Sequence, residues 1–230
     1  SCLHPGELTV DFLPKLPPGF CWDQKKVGLS LHHDEFGSLR SDFVKGEFGY
    51  RIRAGGGKGQ AVFRAVGDGP NGPRFVFDGT GGLCRDAFLL AWLGCKVVVC
   101  ERSPIIFALV ADALERAMRV AEIHEKLGNR LDLILGDANQ VMDGWQGTKP
   151  EVVYLDPMHP EREKTALVKK EMRIFRSLVG ADSDAERLFQ KAIGFAGRVV
   201  VKRPRKGNPL AEGVSSAWKG KTTRFDLYLS

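Results

Sequence analysis

Residues 74–101, "RFVFDGTGGLCRDAFLLAWLGCKVVVCE", decide the fold. A short apolar run ends in Asp78 and gives way to a glycine-rich turn. Apolar residues at helical spacing follow from Arg85, and Gly94 sits where a left-handed cap would stop the helix. A second apolar run, Lys96–Glu101, again ends in an acid. Neither run alternates with polar residues, as expected of strands buried on both faces of a parallel sheet. The stretch therefore reads as one strand–helix–strand unit.

The same rhythm continues downstream. Ser103 and Pro104 supply an N-cap and a first-turn proline. Behind them Ile106, Leu109, Val110, Ala113, Leu114, Ala117 and Ala121 fall at helical spacing, and Gly128-Asn129 closes that segment. "RLDLILGD" (130–137) and "EVVYLDP" (151–157) predict a third and a fourth strand. Val168, Met172, Phe175 and Val179 form one stripe of a further helix. "RVVVKRP" (198–204) is a fifth strand, and "TRFDLYL" (223–229) alternates as a last strand near the sheet edge. Strands alternating with helices give an α/β fold, Rossmann-like, with a mostly parallel sheet covered on both faces. Residues 1–60, rich in Pro, Gly and His, break the rhythm. They read as a small N-terminal extension, irregular or hairpin-like around Phe43 to Ile52, ahead of a main domain over 61–230.

Composition bounds the function. With 43% hydrophobic residues the chain is globular, and its formal charge of +6 favours a polyanionic partner without proving one. Five scattered cysteines and five histidines show no zinc-ligand spacing, so no metal is expected and the thiols read as reduced, in a cytoplasmic protein. The longest apolar stretch, 87–100, is interrupted by Gly94 and Lys96 and is too short to span a bilayer. No signal-peptide pattern is visible in the sequence, and no membrane association is expected.

Parallel sheets bind ligands at the carboxyl ends of their strands. Asp78, Glu101, Asp137 and Asp156 all sit at such ends, which would bring four acids to one rim. In "DGTGGLCRD", Gly79, Gly81 and Gly82 let the backbone approach a ligand closely, or simply make a tight turn. The third glycine of a dinucleotide fingerprint is Cys84 here. Glu101 is placed to accept from ribose hydroxyls, or is a surface acid; Asp137 is placed to accept from an adenine amine, or is a turn residue. Asp86 is either part of the site or a favourable first-turn charge. Taken together the rim fits an adenosine ligand without a diphosphate, and S-adenosylmethionine has that character.

"VVYLDPMHP" (152–160) ends its strand on Asp156 against Pro157, with a ring, His159, two residues on. This corner resembles the [DNS]-P-P-[YFW] signature of methyltransferases that act on planar exocyclic amines. Such an amine is a weak nucleophile because its lone pair is delocalised. Hydrogen bonds to Asp156 and to the Pro157 carbonyl would return electron density to the nitrogen and aim it, while residue 159 stacks on the base.

"DGTGGLCRDAF", "CERSP", "VVYLDPMHP", "ALVKKEMRIFRSLVG" and "VVVKRP" together resemble the ribosomal small-subunit methyltransferase J family, in order and spacing, over about four-fifths of the chain. The resemblance implies a class I S-adenosylmethionine-dependent methyltransferase fold. It also implies methylation of the N2 amine of a guanine near the 3′ end of 16S rRNA. It places cofactor contacts on Arg85, Asp86, Glu101, Arg102, Asp137, Ala138 and Asp156. The family usually carries Phe at the position of His159 and often a Ser pair at Asp137-Ala138.

Basic residues follow the corner and the fifth strand. Lys164, Lys169, Lys170 and Arg173, then Lys202 and Arg203 with Arg205 and Lys206, and Arg53 and Lys58 on a glycine-rich loop, are candidates for rRNA phosphates, in free 16S rRNA or a 30S particle. Other readings are a methyltransferase for another RNA or DNA base, a nicotinamide oxidoreductase, and a non-catalytic rRNA-binding assembly factor. The missing third glycine and the Asp-Pro corner speak against the oxidoreductase; Asp156 and Glu101 speak against the inert scaffold.

Overall fold

The structure is a computed structural model that describes residues 13–25, 28–45, 49, 52, 59–158, 170–179 and 184–230. It opens with a three-stranded antiparallel sheet, β1 (Phe20–Lys25), β2 (Gly28–His33) and β3 (Gly37–Leu39). In β2 the buried Leu29 and Leu31 alternate with half-buried Gly28, Ser30 and His32, so one face turns inward. The hairpin thus lies upstream of the predicted Phe43–Ile52 region, where Phe43 and Ile52 are buried instead. A short helix, α1 (Ala61–Val66), and a two-residue hairpin, β4 (Asp68–Gly69) and β5 (Gly72–Pro73), lead into the main sheet.

From there the elements alternate: β6 (Phe75–Asp78), α2 (Arg85–Trp92), β7 (Lys96–Glu101), α3 (Pro104–Met118), α4 (Ala121–Leu127), β8 (Leu131–Leu135), α5 (Ala138–Asp143), β9 (Val152–Leu155), α6 (Lys170–Val179), α7 (Ala185–Phe195), β10 (Arg198–Pro204), β11 (Ser216–Lys219) and β12 (Thr223–Leu229). The seven-stranded sheet runs β11-β12-β10-β9-β6-β7-β8. β6 through β10 are mutually parallel, and β12 is antiparallel to both its neighbours. The chain builds outward from β6 to β8 on one side and then crosses to β9 and β10 on the other. The switch point lies between β6 and β9, where open α/β sheets place their ligands.

Period-two alternation divides the core. Val76, Val97, Val99, Val152, Tyr154 and Val200 face α2, α3 and α4, and Leu29, Leu31, Leu39 and Phe43 of the N-terminal region join that cluster. Phe77, Val98, Cys100, Val153, Leu155, Val199 and Val201 face Met142 of α5 and Leu188, Phe189, Ala192 and Phe195 of α7. Both faces are covered, as the apolar strands require.

One expectation changes. The single helix expected from Ile106 to Gly128 is two, because Val120 takes an extended backbone (φ −90°, ψ 116°) and starts α4 afresh. The turn lets Ile123 and Leu127 bury against the core. In α6 the expected Phe175 packs on the core beside the fully buried Ile174, with Leu178 next to them; Val168 and the side chains of Met172 and Val179 lie outside the described residues. The edge next to β12 is formed by β11, which the sequence pattern did not announce.

Candidate active site

Because β6, β7, β9 and β10 are parallel and in register, alternation carries Asp78, Glu101, Asp156 and Lys202 to the face that Val76, Val99, Tyr154 and Val200 share. These strand ends, the 79–86 turn and the start of α5 enclose a cavity of about 720 Å³. Asp78, Glu101, Asp137 and Asp156 all line it, so the four acids do converge.

The glycine turn is shaped by close approach. A Cβ on Gly81 would lie 2.7 Å from Val99 Cγ1 and 3.1 Å from the Cys100 carbonyl oxygen. The Gly81 N–H donates to that same carbonyl at 2.9 Å. Gly82 has φ +51°, a left-handed conformation that glycine adopts freely. The next part of the turn is pinned by Glu101, which is 5% exposed: Oε2 accepts from the Gly82 N–H and Oε1 from the Ser103 N–H, each at 2.7 Å. Glu101 therefore fixes the turn as well as facing the cavity.

Asp78 is 2% exposed. Its Oδ1 accepts from the Thr80 N–H at 3.0 Å and from the Thr80 hydroxyl at 3.3 Å. Burial pushes its pKa up to about 7, and the nearby Asp86 and Asp156 push the same way. Thr80 Oγ1 also accepts the Asp156 N–H at 2.6 Å, so one hydroxyl ties the β6 turn to the β9 corner.

Lys202 connects the remaining acids. Its Nζ donates to Asp86 Oδ2 at 2.7 Å and to Asp156 Oδ2 at 2.8 Å, and the buried Tyr154 hydroxyl donates to Asp86 Oδ2 at 2.7 Å. Burial works against the Lys202 charge, but Asp156 and Asp86 outweigh it and raise the pKa above the usual lysine value. Burial and the same acids push the Tyr154 hydroxyl pKa well up, so the phenol stays protonated as a donor.

The other expected residues are distributed as follows. Asp137 lines the cavity while its Oδ1 caps α5, accepting from the Asn139 and Gln140 N–H groups at 2.9 and 3.2 Å. Ala138, Gly79, Arg85 and Pro157 line the cavity; Arg102 does too, and pairs with Asp184 at 3.1 Å. Lys202, expected to hold rRNA phosphates around the active site, lines the cavity with its ammonium shared between Asp86 and Asp156, because it shares the Val200 face. Arg203, expected beside it, is 8% exposed and donates to the Asn208 carbonyl at 3.0 Å, since the opposite face of β10 is core. Arg173 lies over the Phe36 ring, 4.6 Å from its centroid, and 3.5 Å from Glu35. His159, Arg53, Lys58, Lys164 and Lys169 lie outside the described residues, as does the side chain of Lys170.

Sequence reasoning missed Thr80, Tyr154, Met158, Phe175 and Asp184, all now at or beside the cavity. Tyr154 had a signal: a lone phenol in a strand of aliphatic residues needs a hydrogen-bond partner.

The lining discriminates between ligands. A diphosphate cradle offers bare N–H groups and cations at the first turn. Here that region presents Asp78 and Asp86, with Lys202 already shared between two carboxylates. A neutral nucleoside with an attached cation suits it better, with glycine backbone for close approach and acids for hydroxyls and amines. Among the described residues no cluster of metal-ligating side chains occurs, and no helix is long and apolar enough to cross a membrane.

Comparison with known proteins agrees. A family model described as "Putative SAM-dependent methyltransferase" matches residues 10–230. Two proteins named Ribosomal RNA small subunit methyltransferase J are each 48% identical to this chain. The one from Pseudomonas paraeruginosa aligns over 203 residues, 87% of this chain and 77% of its own; the one from Dechloromonas aromatica aligns over 194, 84% and 79%. The crystal structure of a SAM-dependent methyltransferase from Neisseria gonorrhoeae superposes with a TM-score of 0.72 at 33% identity, covering 94% of this chain and 85% of that one.

Proposed function

The chain belongs to the ribosomal RNA small subunit methyltransferase J family, and on that premise we propose that it methylates the exocyclic N2 amine of a guanine near the 3′ end of 16S rRNA, with S-adenosylmethionine as donor. The observation that carries the reading is the Asp156-Pro157 corner. It ends β9 beside the glycine turn, with the Asp156 backbone tied to that turn through Thr80.

When bound, the cofactor supplies an electrophilic methyl group on a sulfonium. Gly79–Gly82 would take its amino-acid part, Glu101 its ribose, and Asp137 with Ala138 its adenine. Asp156 accepts an N–H hydrogen bond from the guanine amine, which returns density to the nitrogen and fixes its direction. The Pro157 carbonyl accepts the other N–H, held in place by the proline ring. Asp156 also receives the proton that the nitrogen sheds after it gains the methyl group. His159 is the candidate stacking ring.

A surface for rRNA phosphates lies beside the same rim. Arg205, Lys206, Lys219 and Lys221 are exposed and make no ion pair among the described residues. The loops that carry them are joined by the Arg205 N–H donating to the Thr222 carbonyl at 2.9 Å, and Pro204, Thr222 and Thr223 line the cavity mouth. Four such cations contribute both affinity and a steep salt dependence.

The test is single-turnover methylation of 16S rRNA and of 30S particles with labelled cofactor, followed by mass spectrometry of the modified nucleotide. N2-methylguanosine from the wild type, and a rate lower by orders of magnitude in Asp156→Asn, are expected. A methyl group on another base or atom would overturn the substrate assignment. An unmodified RNA that is nonetheless bound would favour the assembly factor.

A further inference from the structure

The inference rests on the reading of Asp156 as the group that holds the amine. The Asp156 side chain is 43% exposed and lies just past the end of β9. Asp86, at 17% side-chain exposure, accepts from the Tyr154 hydroxyl and sits in the first turn of α2. Between them stands Lys202. Val201 pairs with Leu155 in the β10–β9 register, so Lys202 and Asp156 are the next residues along two adjacent strands. Alternation turns both toward the face of Tyr154 and Val200. The Lys202 side chain is 24% exposed, and its ammonium reaches both carboxylates within 2.8 Å.

We propose that Lys202 is a positioning residue for methyl transfer: anchored on Asp86, it grips Asp156 Oδ2 and so sets the direction in which that carboxylate meets the substrate amine. Phosphate binding, the role its basic character first implied, does not use this geometry. It meets Asp86 on α2 and Asp156 just past β9, with the Tyr154 hydroxyl bonded to the same Asp86 oxygen; Asp78 on β6 lies close to both acids, and Arg203, the next residue on β10, is close enough to Asp156 to feel its charge. With the ammonium gone, Asp86, Asp156 and Asp78 would face one another without it. Repulsion would then drive Asp156, the most exposed of them, out of line. A misplacement of about 1 Å at a reacting group costs on the order of 100-fold in rate.

The test is a double-mutant cycle of Lys202→Met and Asp156→Asn, read by single-turnover methylation, together with calorimetric affinity for S-adenosylhomocysteine in each protein. Lys202→Met is expected to lose on the order of 100-fold in rate while affinity for S-adenosylhomocysteine stays within about threefold. Lys202→Arg, whose fork can span two carboxylates, should recover most of the rate. In the Asp156→Asn background the same Lys202→Met change should cost little more, because Lys202 acts through Asp156. Additive losses, or a wild-type rate in Lys202→Met, overturn the proposal. If Lys202→Met does not fold, the double variant against Asp156→Asn still decides, since it removes the Asp156 charge together with the ammonium and leaves only Asp86, still bonded to the Tyr154 hydroxyl. A wild-type protein that methylates no rRNA would instead defeat the functional reading itself, an outcome visible before any variant is made.

Discussion

Glu101 offers the sharpest test, because it is asked to do two things with one carboxylate. Its oxygens accept the Gly82 and Ser103 N–H groups, both at 2.7 Å, and the group is 5% exposed. Glu101→Gln keeps the volume but offers one acceptor oxygen and one NH₂. One of the two backbone N–H groups then keeps a partner and the other faces a donor. Losing one hydrogen bond to a charged group costs about 1.5–3 kcal/mol. For a chain of this size each kcal/mol moves the melting temperature by about 2–4 °C, so a fall of about 3–12 °C is expected without any ligand. Affinity for S-adenosylhomocysteine should fall further, since the turn and the proposed ribose acceptor are perturbed together. Thermal unfolding by circular dichroism and titration calorimetry read the two effects separately. An unchanged melting temperature would refute the structural half, and unchanged affinity would remove Glu101 from the ribose.

Asp78 makes stability depend on pH. Its folded pKa is about 7 against an ordinary value of 3.8. Between those values the folded state keeps a proton that the unfolded chain has lost, so stability falls as pH rises, until it levels off above about 7. Asp78→Asn removes that contribution. The wild type should lose about 2–3 kcal/mol relative to the variant between pH 5 and pH 8 in urea unfolding, and parallel curves would contradict the buried-acid assignment. On the outer rim, Lys219→Glu with Lys221→Glu should weaken rRNA binding and flatten its salt dependence by about one unit of slope for each phosphate that is no longer neutralised. Affinity for S-adenosylhomocysteine should not move, and an unchanged salt slope would return these lysines to ordinary surface.

The acids at the strand ends were legible because buried parallel strands are apolar runs that stop abruptly, and the residue at the stop is visible by contrast. Asp78, Glu101 and Asp156 needed no more than that. Lys202 was not legible. A lysine two residues inside a strand end reads the same whether it faces solvent or a pocket, and only the Val201–Leu155 register decides which. Asp137 was equally ambiguous, since an acid before a helix caps it whether or not it also meets a ligand. α7 went unnoticed although Leu188, Phe189, Ala192 and Phe195 make a helical stripe, because no glycine or proline announces its start. The edge strand β11 carries no apolar run at all, and its pairing with β12 is set by tertiary context.

The charge distribution makes sense only when the two ligands are considered together. The chain carries +6 overall, yet the cavity is lined by six carboxylates, Asp78, Asp86, Glu101, Asp137, Asp156 and Asp184, against four cationic residues, Arg85, Arg102, Lys202 and Arg203. Within that lining, Lys202 is divided between Asp86 and Asp156, and Arg102 is paired with Asp184. A polyanion would not be drawn into such a pocket, but a sulfonium would. The exposed Arg205, Lys206, Lys219 and Lys221 outside it have the opposite sign. On the proposed reading an RNA strand would be held by its backbone at the rim while only a base, uncharged and planar, enters. The base would then meet Asp156, where a neutral amine gains most from a fixed carboxylate. Separation of charge between wall and rim sorts the donor from the acceptor before any atom-to-atom recognition begins.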